Sequence, residues 1–368
     1  MKLAHTLRVW RRERHPLYLA IGFFDGLHRG HARVIHAALK QARANGGAAW
    51  VLTFDPHPAR ILHPPAAPRL LTSLSHKLQL IAALDVDGCM VLPFTRALAD
   101  LAPEDFGHRL RSAAPTLAHV FVGPNWRFGK GRAGTPALLR RYARTHGFGV
   151  TAVAPARRDG AVVSSTRIRT AVAAGDLATA ARLLGRPYSV LGHVKQGQKL
   201  GRRLGYPTAN LAPTNEQLPP WGIYAIRARL GSVLYDGVLS YGVRPTVHPG
   251  PHAPAVMEAH LFDFDGDLYG QEMEFSFIQK IRNERALPSL EALQAQIARD
   301  CESARKILRS MDKVRPPLAE QARPLSISNL RPQAVRRRWP DNCMAPPPEE
   351  ATGDSHAQAI HRLQQKQA

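Results

Sequence analysis

One stretch near the N-terminus constrains the fold more than any other: Ile21-Gly22-Phe23-Phe24-Asp25-Gly26-Leu27-His28-Arg29-Gly30-His31. A short apolar run precedes it, and a helical pattern begins at its last residue. A strand, a glycine-rich turn and a helix in this order deliver backbone N–H groups and a helix N-terminus to one point. The sequence therefore predicts an anion site, with phosphate as the ligand.

Two histidines of this turn, His28 and His31, are spaced so that both imidazoles can reach that point. Attack on the α-phosphate of a nucleotide adds negative charge to the phosphoryl oxygens, and fixed N–H donors stabilise that charge. A metal pair or two surface histidines are the alternatives. Because no cysteine or third histidine lies close by in sequence, we favour phosphate over zinc.

The first half of the chain alternates short apolar runs with helical patterns, from Leu17 to about Ala154. Such alternation predicts a parallel sheet covered by helices. Ligands of these sheets bind at the carboxyl ends of the strands. Three motifs fall at predicted strand ends and should therefore converge in space: residues 22–31, residues 55–58 and residues 123–129.

Several polar residues near these ends are further candidates. His57 lies between two prolines on a stiff loop, where a plain turn role is equally reasonable. Asn125 offers an amide that can read a ligand edge, whereas we interpret Trp126 and Phe128 as core. Residues 164–169, Ser-Ser-Thr-Arg-Ile-Arg, open a helix and suit an anion, or simply cap that helix.

The second half of the chain has a different pattern. Five strand-like segments without intervening helices predict a small antiparallel barrel, with a hairpin at Asp265-Gly266. An amphipathic helix over 289–308 follows. Residues 313–368, rich in proline and arginine, show no periodicity and are predicted to be a disordered tail.

Net charge is +22, which raises the question of a nucleic-acid partner. The basic residues are spread along the chain and no nucleic-acid-binding motif accompanies them, so nucleic acid is the less favoured partner. Three cysteines without a C-x-x-C pair argue against a disulfide framework and fit a reducing cytoplasm. No apolar run approaches the roughly 18 residues of a membrane span, and we expect no membrane partner.

These motifs, taken in order, resemble the bacterial bifunctional riboflavin kinase/FAD synthetase family. The adenylyltransferase half of that family is similar in the histidine turn, in Phe54-x-Pro56-His57-Pro58, in the 123–129 loop and in the 164–169 helix start. The kinase half is similar in residues 197–210, which end in Gly-Tyr-Pro-Thr-Ala-Asn, and around Glu258. The resemblance covers nearly everything up to about Leu308.

The resemblance implies an α/β architecture, with a Rossmann-like nucleotidyltransferase domain over 1–186. A small antiparallel β-barrel kinase domain with a C-terminal helix would follow over 187–312. It implies Glu258 as the catalytic base of the kinase, His28 and His31 as the residues that act on the α-phosphate, and Mg²⁺ held by Thr208 and Asn210. His57, Asn125, Arg282 and Glu284 would contact flavin. The residues implied for ATP are Gly22, Asp25, His28, His31, Asn125, Ser164, Ser165, Thr166, Arg169, Gly197, Gly201, Arg202, Gly205, Thr208 and Asn210.

The predicted function is therefore phosphorylation of riboflavin to FMN by Mg–ATP, followed by adenylylation of FMN to FAD with release of pyrophosphate. The expected partners are the small molecules riboflavin, FMN and ATP, and a weak homo-oligomer stays open. One alternative is that only the riboflavin kinase is retained, since Phe23 and Trp126 depart from the family pattern. Another is a basic nucleic-acid-binding protein on a nucleotidyltransferase scaffold.

Overall fold

A parallel sheet forms the centre of the first half. The computed structural model describes residues 1–197, 201, 204–243 and 255–314. The sheet has the strand order β1-β4-β3-β2-β5-β6, and each neighbouring pair is parallel. Its strands are β1 (Lys2–Ala4), β2 (Leu17–Ile21), β3 (Ala48–Asp55), β4 (Gly88–Pro93), β5 (Leu117–Val122) and β6 (Gly149–Ala152). Two short strands outside this sheet, β7 (Arg157–Arg158) and β8 (Ala161–Val162), pair with each other.

Helices cover both faces of this sheet, as the apolar runs of its strands require. Two of them, α1 and α3, pack on one face, while α5 and α6 pack on the other. The bounds are α1 (Arg29–Ala44), α2 (Pro58–Leu62), α3 (Leu74–Ala82), α4 (Arg96–Ala99), α5 (Pro103–Ala113) and α6 (Pro136–Thr145).

The strand order reverses direction at β2, because β3 lies on one side of it and β5 on the other. A crevice opens at such a point, outside the carboxyl ends of the strands. The histidine turn follows β2, the 55–58 loop follows β3 and the 123–129 loop follows β5. The predicted convergence of the three motifs is thus the arrangement that the sheet produces.

Six antiparallel strands of the second half close into a barrel, in the order β10-β13-β12-β11-β14-β9. Its interior is filled by apolar side chains such as Val190, Tyr224 and Phe275. The helix α9 packs on the outside, against β11, β12 and β14. The bounds are β9 (Tyr188–Lys195), β10 (Ala209–Pro213), β11 (Gly222–Leu230), β12 (Val233–Val243), β13 (Ala255–Leu261), β14 (Glu272–Arg282) and α9 (Leu290–Val314).

The helices α7 (Ser165–Ala173) and α8 (Leu177–Leu184) join the sheet to the barrel. They share one hydrophobic core with the barrel, which runs from Ile168 and Leu183 to Phe277. Polar contacts reinforce this junction: Asn215 donates its amide to the Leu71 carbonyl at 2.6 Å, and His76 of α3 lies 3.2 Å from the Glu274 carboxylate of β14. The sheet and the barrel are therefore packed against each other.

The structure differs from the predicted secondary structure in four places. The strand β1 was not predicted, and neither was β10, which contains the Ala209-Asn210 part of the kinase motif. The predicted hairpin at Asp265-Gly266 is wrong, because β13 pairs with β12 and β10 whereas β14 pairs with β11 and β9. The final helix extends to Val314, and the rest of the predicted tail lies outside the described residues.

No helix in the part of the chain that the structure describes is both long and apolar enough to span a bilayer.

Candidate active sites

His28 is the N-cap of α1. Its Nδ1 accepts the backbone N–H groups of Gly30 and His31, at 3.1 and 3.2 Å. An Nδ1 that accepts two hydrogen bonds cannot carry a proton, so the assigned tautomer of the neutral ring has its proton on Nε2. The cap thus leaves one N–H donor at the start of the helix, where helix geometry already favours an anion.

His28 is almost fully buried, with 6% of its surface exposed. Burial lowers the pKa of its imidazole to about 4, and the nearby Arg186 and Arg169 contribute to the same direction. The ring is therefore neutral at pH 7, as the tautomer requires.

A pH titration checks this assignment. In protein labelled with ¹⁵N-histidine, we expect the His28 ring to keep its Nε2–H tautomer down to about pH 5 and to gain a proton only near pH 4, measured by heteronuclear NMR. Because the unfolded ring has a pKa of about 6.5, the unfolded state binds more protons between these values. The free energy of unfolding should therefore fall as the pH drops from about 6.5 toward 4. Titration near 6.5, or an Nδ1–H tautomer, would contradict the geometry.

His31 lies directly against His28. The two rings are stacked, with centroids 3.5 Å apart and an interplanar angle of 16°. Phe24 contacts the His31 ring edge-on, and the Nδ1 of His31 is buried without a hydrogen-bond partner. Burial holds the pKa of His31 well below its ordinary value, and electrostatic coupling to the His28 imidazole and to the Lys77 ammonium acts in the same direction. Two neutral imidazoles are thus presented side by side.

Asp25 organises the turn from beneath. Its buried carboxylate accepts the backbone N–H groups of Leu71 and Thr72 and the Thr72 hydroxyl, at 3.1 to 3.2 Å. Arg169 adds an ion pair at 2.7 Å. Since the carboxylate is fully occupied by protein donors, its geometry is that of an anchor for the turn, and its predicted contact with ATP stays a prediction.

The start of α7 lies beside this anchor. Ser165 donates its hydroxyl to the Asp25 carbonyl at 3.0 Å, while Ser164 caps the helix through the Arg167 N–H at 3.3 Å. Thr166 is exposed. Arg169 also donates to the Arg69 carbonyl at 2.8 Å. The predicted anion site and the histidine turn are therefore neighbours, although the ordinary N-cap role also applies to Ser164.

Two glycine positions and one arginine set the shape of the turn. A Cβ on Gly22 would come within 2.9 Å of the Phe24 ring, and one on Gly26 within 2.7 Å of Leu71. Arg186, from the junction before the barrel, donates to the Gly26 and Leu27 carbonyls at 3.0 and 3.3 Å. Sequence analysis did not single out Arg186; its position next to a proline at a domain junction gives no hint of this contact.

An aromatic cavity of about 520 Å³ opens next to the turn. Phe128 is both a cavity wall and part of the core, and Trp126 is partly buried at the same wall, so interpreting these two as core alone was incomplete. Asn125 is exposed one residue before Trp126. The cavity has the size and apolar lining of a small-molecule site; six aromatic rings line it, those of Phe23, Phe54, Phe94, Phe106, Trp126 and Phe128.

His57 stands between this cavity and the histidine turn. It caps α2 by accepting the Ala59 N–H at Nδ1, at 3.0 Å, so its Nε2 carries the proton in the assigned tautomer. Its ring contacts Phe23 edge-on, with centroids 4.2 Å apart. Burial lowers its pKa. The turn role and the ligand-contact role are therefore compatible at this residue.

A second site is built on the outer face of the barrel. Met257, Ala259 and Leu261 of β13 point into the barrel core, so Glu258 points outward. Strand pairing places Glu258 opposite Asn210 of β10. The amide of Asn210 in turn lies over Gly197, where any side chain would overlap it. Sequence alone proposed these residues separately; the barrel register brings them together.

The loop before β10 turns back on itself around Gly201. The Gly201 carbonyl accepts the N–H groups of Leu204 and Tyr206, at 3.1 and 2.8 Å. A Cβ on Gly201 would come within 3.1 Å of the Thr208 hydroxyl. Gly205 completes the turn with φ +85°. Arg202, also predicted to contact ATP, lies outside the described residues.

Substitution of Gly197 tests this crowding. We expect Gly197→Ala to displace the Asn210 side chain and to raise the KM for ATP in FMN formation at least tenfold. FAD formation from supplied FMN should not change, because the histidine turn is untouched. Steady-state kinetics of both steps on one preparation make the comparison. An unchanged KM for ATP would show that the Asn210 amide does not contact the nucleotide.

Arg282 ends β14 and Glu284 follows it, and the two residues differ in their surroundings. Burial raises the pKa of Glu284, and the Glu258 charge acts in the same direction. Arg282 donates to both oxygens of Asp300 on α9, at 2.7 to 3.1 Å. Arg282 thus fastens the helix to the barrel, and its predicted contact with flavin stays a prediction.

The chain is similar in sequence to known bacterial proteins over most of its length. Proteins called bifunctional riboflavin kinase/FMN adenylyltransferase from Pseudomonas fluorescens and Escherichia coli (strain K12) are 36% and 37% identical. The matches cover 83% and 78% of this chain, and 98% and 91% of those proteins. A crystal structure titled as a macrolide-efflux protein from Streptococcus pneumoniae has a TM-score of 0.70 at 27% identity, over 82% of this chain and 98% of that chain. Fold and sites together define an enzyme that joins a nucleotidyltransferase to a phosphotransferase barrel.

Two family models match in the same order: FAD synthetase over residues 11–167 and riboflavin kinase over residues 184–308. The chain belongs to the bifunctional riboflavin kinase/FMN adenylyltransferase family. It carries both activities, so riboflavin is phosphorylated to FMN and FMN is adenylylated to FAD.

Proposed function

We propose that the two steps are carried out by two separate sets of residues, one in residues 1–186 and the other in residues 187–312. The observation that carries this proposal is the pair of buried, neutral imidazoles at the start of α1, on a different part of the molecule from Glu258 on the barrel. Each set is arranged for charge that develops on a different phosphorus atom.

In adenylyl transfer, a phosphate oxygen of FMN attacks the α-phosphorus of ATP and pyrophosphate leaves. His28 donates from Nε2 to the α-phosphoryl oxygen, where charge grows in the transition state. His31, stacked on His28, approaches the same oxygen. The first turn of α7, with Ser165 and Thr166, receives the outer phosphates through its N–H groups and hydroxyls. Arg169 contributes positive charge there, although it is also paired with Asp25.

The isoalloxazine ring of FMN occupies the aromatic cavity. Its planar, apolar surface matches the rings of Trp126, Phe128 and Phe54, and the cavity volume of about 520 Å³ is ample for it. Asn125 at the rim and the Nε2–H of His57 supply polar contacts. The cavity lies beside the histidine turn, so the FMN phosphate faces the α-phosphate of ATP.

In riboflavin phosphorylation, Glu258 takes the proton from the terminal hydroxyl of the ribityl chain as that oxygen attacks the γ-phosphorus of ATP, and the bond from the γ-phosphorus to the β-phosphate oxygen breaks, so that ADP leaves. Thr208 and Asn210 offer a hydroxyl and an amide oxygen, and oxygen is the ligand atom that Mg²⁺ prefers. The described residues contain no group of three acidic, histidine or cysteine side chains that could hold a metal by themselves. Mg²⁺ is commonly held by one or two protein oxygens together with substrate phosphates, so Thr208 and Asn210 suit it. Mg²⁺ held by these two residues would neutralise phosphate charge.

We also place the protein in the cytoplasm. Cys89 and Cys301 are buried as free thiols, and burial raises the pKa of Cys89 to about 12 and that of Cys301 to about 11. Such thiols are unreactive, and the two have no role in either site.

Purified protein given riboflavin, ATP and Mg²⁺ should produce FMN first and FAD afterwards. Chromatography of the flavins at successive times measures both products. With FMN as the starting flavin, FAD and pyrophosphate should appear in equal amounts. Chelation of divalent cations with EDTA should stop FMN formation. FMN production that continues after chelation would contradict the metal assignment, and absence of FAD from supplied FMN would contradict the adenylyltransferase assignment.

A further inference from the structure

A buried lysine on α3 links the histidine turn to the aromatic cavity. Lys77 has 3% of its surface exposed, although lysine is almost never buried this deeply without a partner. Its Nζ donates to the carbonyls of Phe23 and Phe54, at 3.3 and 3.4 Å. The same atom lies 4.2 Å from the centre of the Phe23 ring, in the geometry of a cation–π contact.

These two carbonyls belong to the two loops that form the site. Phe23 lies in the histidine turn after β2, and Phe54 is the penultimate residue of β3, just before the loop that carries His57. Thr53 reinforces the arrangement by donating its hydroxyl to the same Phe23 carbonyl, at 3.0 Å. One ammonium group therefore ties together the loop for the α-phosphate and the loop beside the flavin cavity.

The Phe23 ring is held from two directions. The Lys77 ammonium lies over its face, and the His57 ring contacts it with centroids 4.2 Å apart. Both Phe23 and Phe54 line the aromatic cavity. The lysine thus holds two residues of the cavity wall, and it is not itself among the residues that line the cavity.

We propose that Lys77 is a positioning residue for adenylyl transfer, which fixes the flavin cavity relative to the phosphate site by holding the Phe23 and Phe54 carbonyls and the Phe23 ring. This inference rests on the proposed location of FMN in the aromatic cavity. The positive charge has a second consequence, because it disfavours protonation of the neighbouring imidazoles. It lowers the pKa of His31 and of His57, in each case in addition to the larger effect of burial.

Lys77→Met tests the proposal, since methionine keeps the bulk and loses the charge and the donors. We expect kcat for FAD formation from FMN to fall at least tenfold, while riboflavin kinase activity of the same preparation stays within twofold of wild type. The acid limb of the pH–rate profile should move to higher pH, because the imidazoles lose a neighbouring cation. The exposed Lys40 provides the matched control, and Lys40→Met should leave kcat and the acid limb unchanged.

A purely structural role would lower the thermal midpoint without moving the acid limb, and this result would overturn the proposal. Equal loss of both activities, or kcat for FAD formation within threefold of wild type, would also overturn it. Should Lys77→Met fail to fold, Lys77→Gln provides a second test, because glutamine supplies amide N–H donors and removes the charge. We expect the same shift of the acid limb to higher pH for this variant. The His28 substitution described below tests the location of the chemistry independently. If that substitution removes FAD formation and Lys77→Met does not, only the role of Lys77 is wrong.

Discussion

FAD formation should be lost when His28 is replaced by asparagine, while the same protein continues to make FMN. Asparagine can accept the Gly30 and His31 N–H groups as a helix N-cap, so α1 keeps its start. It lacks the imidazole Nε2–H that we assign to the α-phosphoryl oxygen. Removing one preorganised donor of this kind typically lowers kcat by about 10²–10³-fold. Initial rates of FAD formation from supplied FMN and ATP give the measurement.

Two measurements distinguish a lost contact with the phosphate from misfolding of the variant. Riboflavin kinase activity depends on the barrel, so it reports whether the chain has folded, and the thermal midpoint of the variant should stay near that of wild type. His28→Ala, which loses the cap as well, should lower the thermal midpoint further because an N-cap contributes about 1 kcal/mol. FAD formation by His28→Asn within tenfold of wild type would mean that the ring does not contact the reacting phosphate.

The second large effect is expected at Glu258. Glu258→Gln keeps the shape of the side chain and removes the base, so FMN formation should fall by about 10²–10⁴-fold. Conversion of supplied FMN to FAD should be unaffected, because the histidine turn and the aromatic cavity do not include this strand. The two reactions are followed separately by chromatography, starting from riboflavin in one case and from FMN in the other.

The pair of variants also tests the separation of the sites. Each substitution should impair one step only. If each of them impairs both steps to the same extent, in protein that remains folded, the two reactions share residues. If Glu258→Gln forms FMN at a rate close to that of wild type, Glu258 is not the base. Glu284, whose pKa is raised, would then be the carboxylate to test.

The parallel sheet and its strand-end motifs were predictable because the information is local. Each apolar run of the sheet is bounded by a turn or a helix start, and the strand-end rule then places residues 22–31, 55–58 and 123–129 together. The conformation of His28 was not predictable in the same way. In the structure, the Nδ1 of His28 caps the helix and its Nε2 is the remaining donor. This arrangement depends on the backbone geometry of the turn, which the sequence does not specify.

Long-range pairing explains what sequence analysis missed in the barrel. The Asp265-Gly266 pair looks like a hairpin turn, yet the strands on either side of it pair with other strands. The strand β10 contains asparagine and ends in proline, both poor strand residues. Its register opposite β13 brings Asn210 to Glu258, and no spacing in the sequence indicates that contact.

The burial of Lys77 was predictable from the sequence pattern of α3. Leu74, Leu78 and Ile81 form the apolar face of α3, and position 77 falls on that same face, three residues after the first and four before the last. A lysine on a core-facing stripe is unusual enough to mark a buried cation. Its partners, two backbone carbonyls and an aromatic face, could only come from the folded chain.

The hydrophobic core that α7 and α8 share with the barrel limits how such a protein can be recombined. A chimaera joined at the 186/187 boundary would set the α7–α8 pair of one parent against the barrel of another, and every mismatch of volume would fall inside a packed interior. A crossover placed before α7 would carry that pair along with its own barrel, but it would separate Arg169 from the Asp25 with which it pairs. Neither crossover therefore preserves both the shared hydrophobic core and the Arg169–Asp25 ion pair, and only exchange of the whole chain keeps the two together.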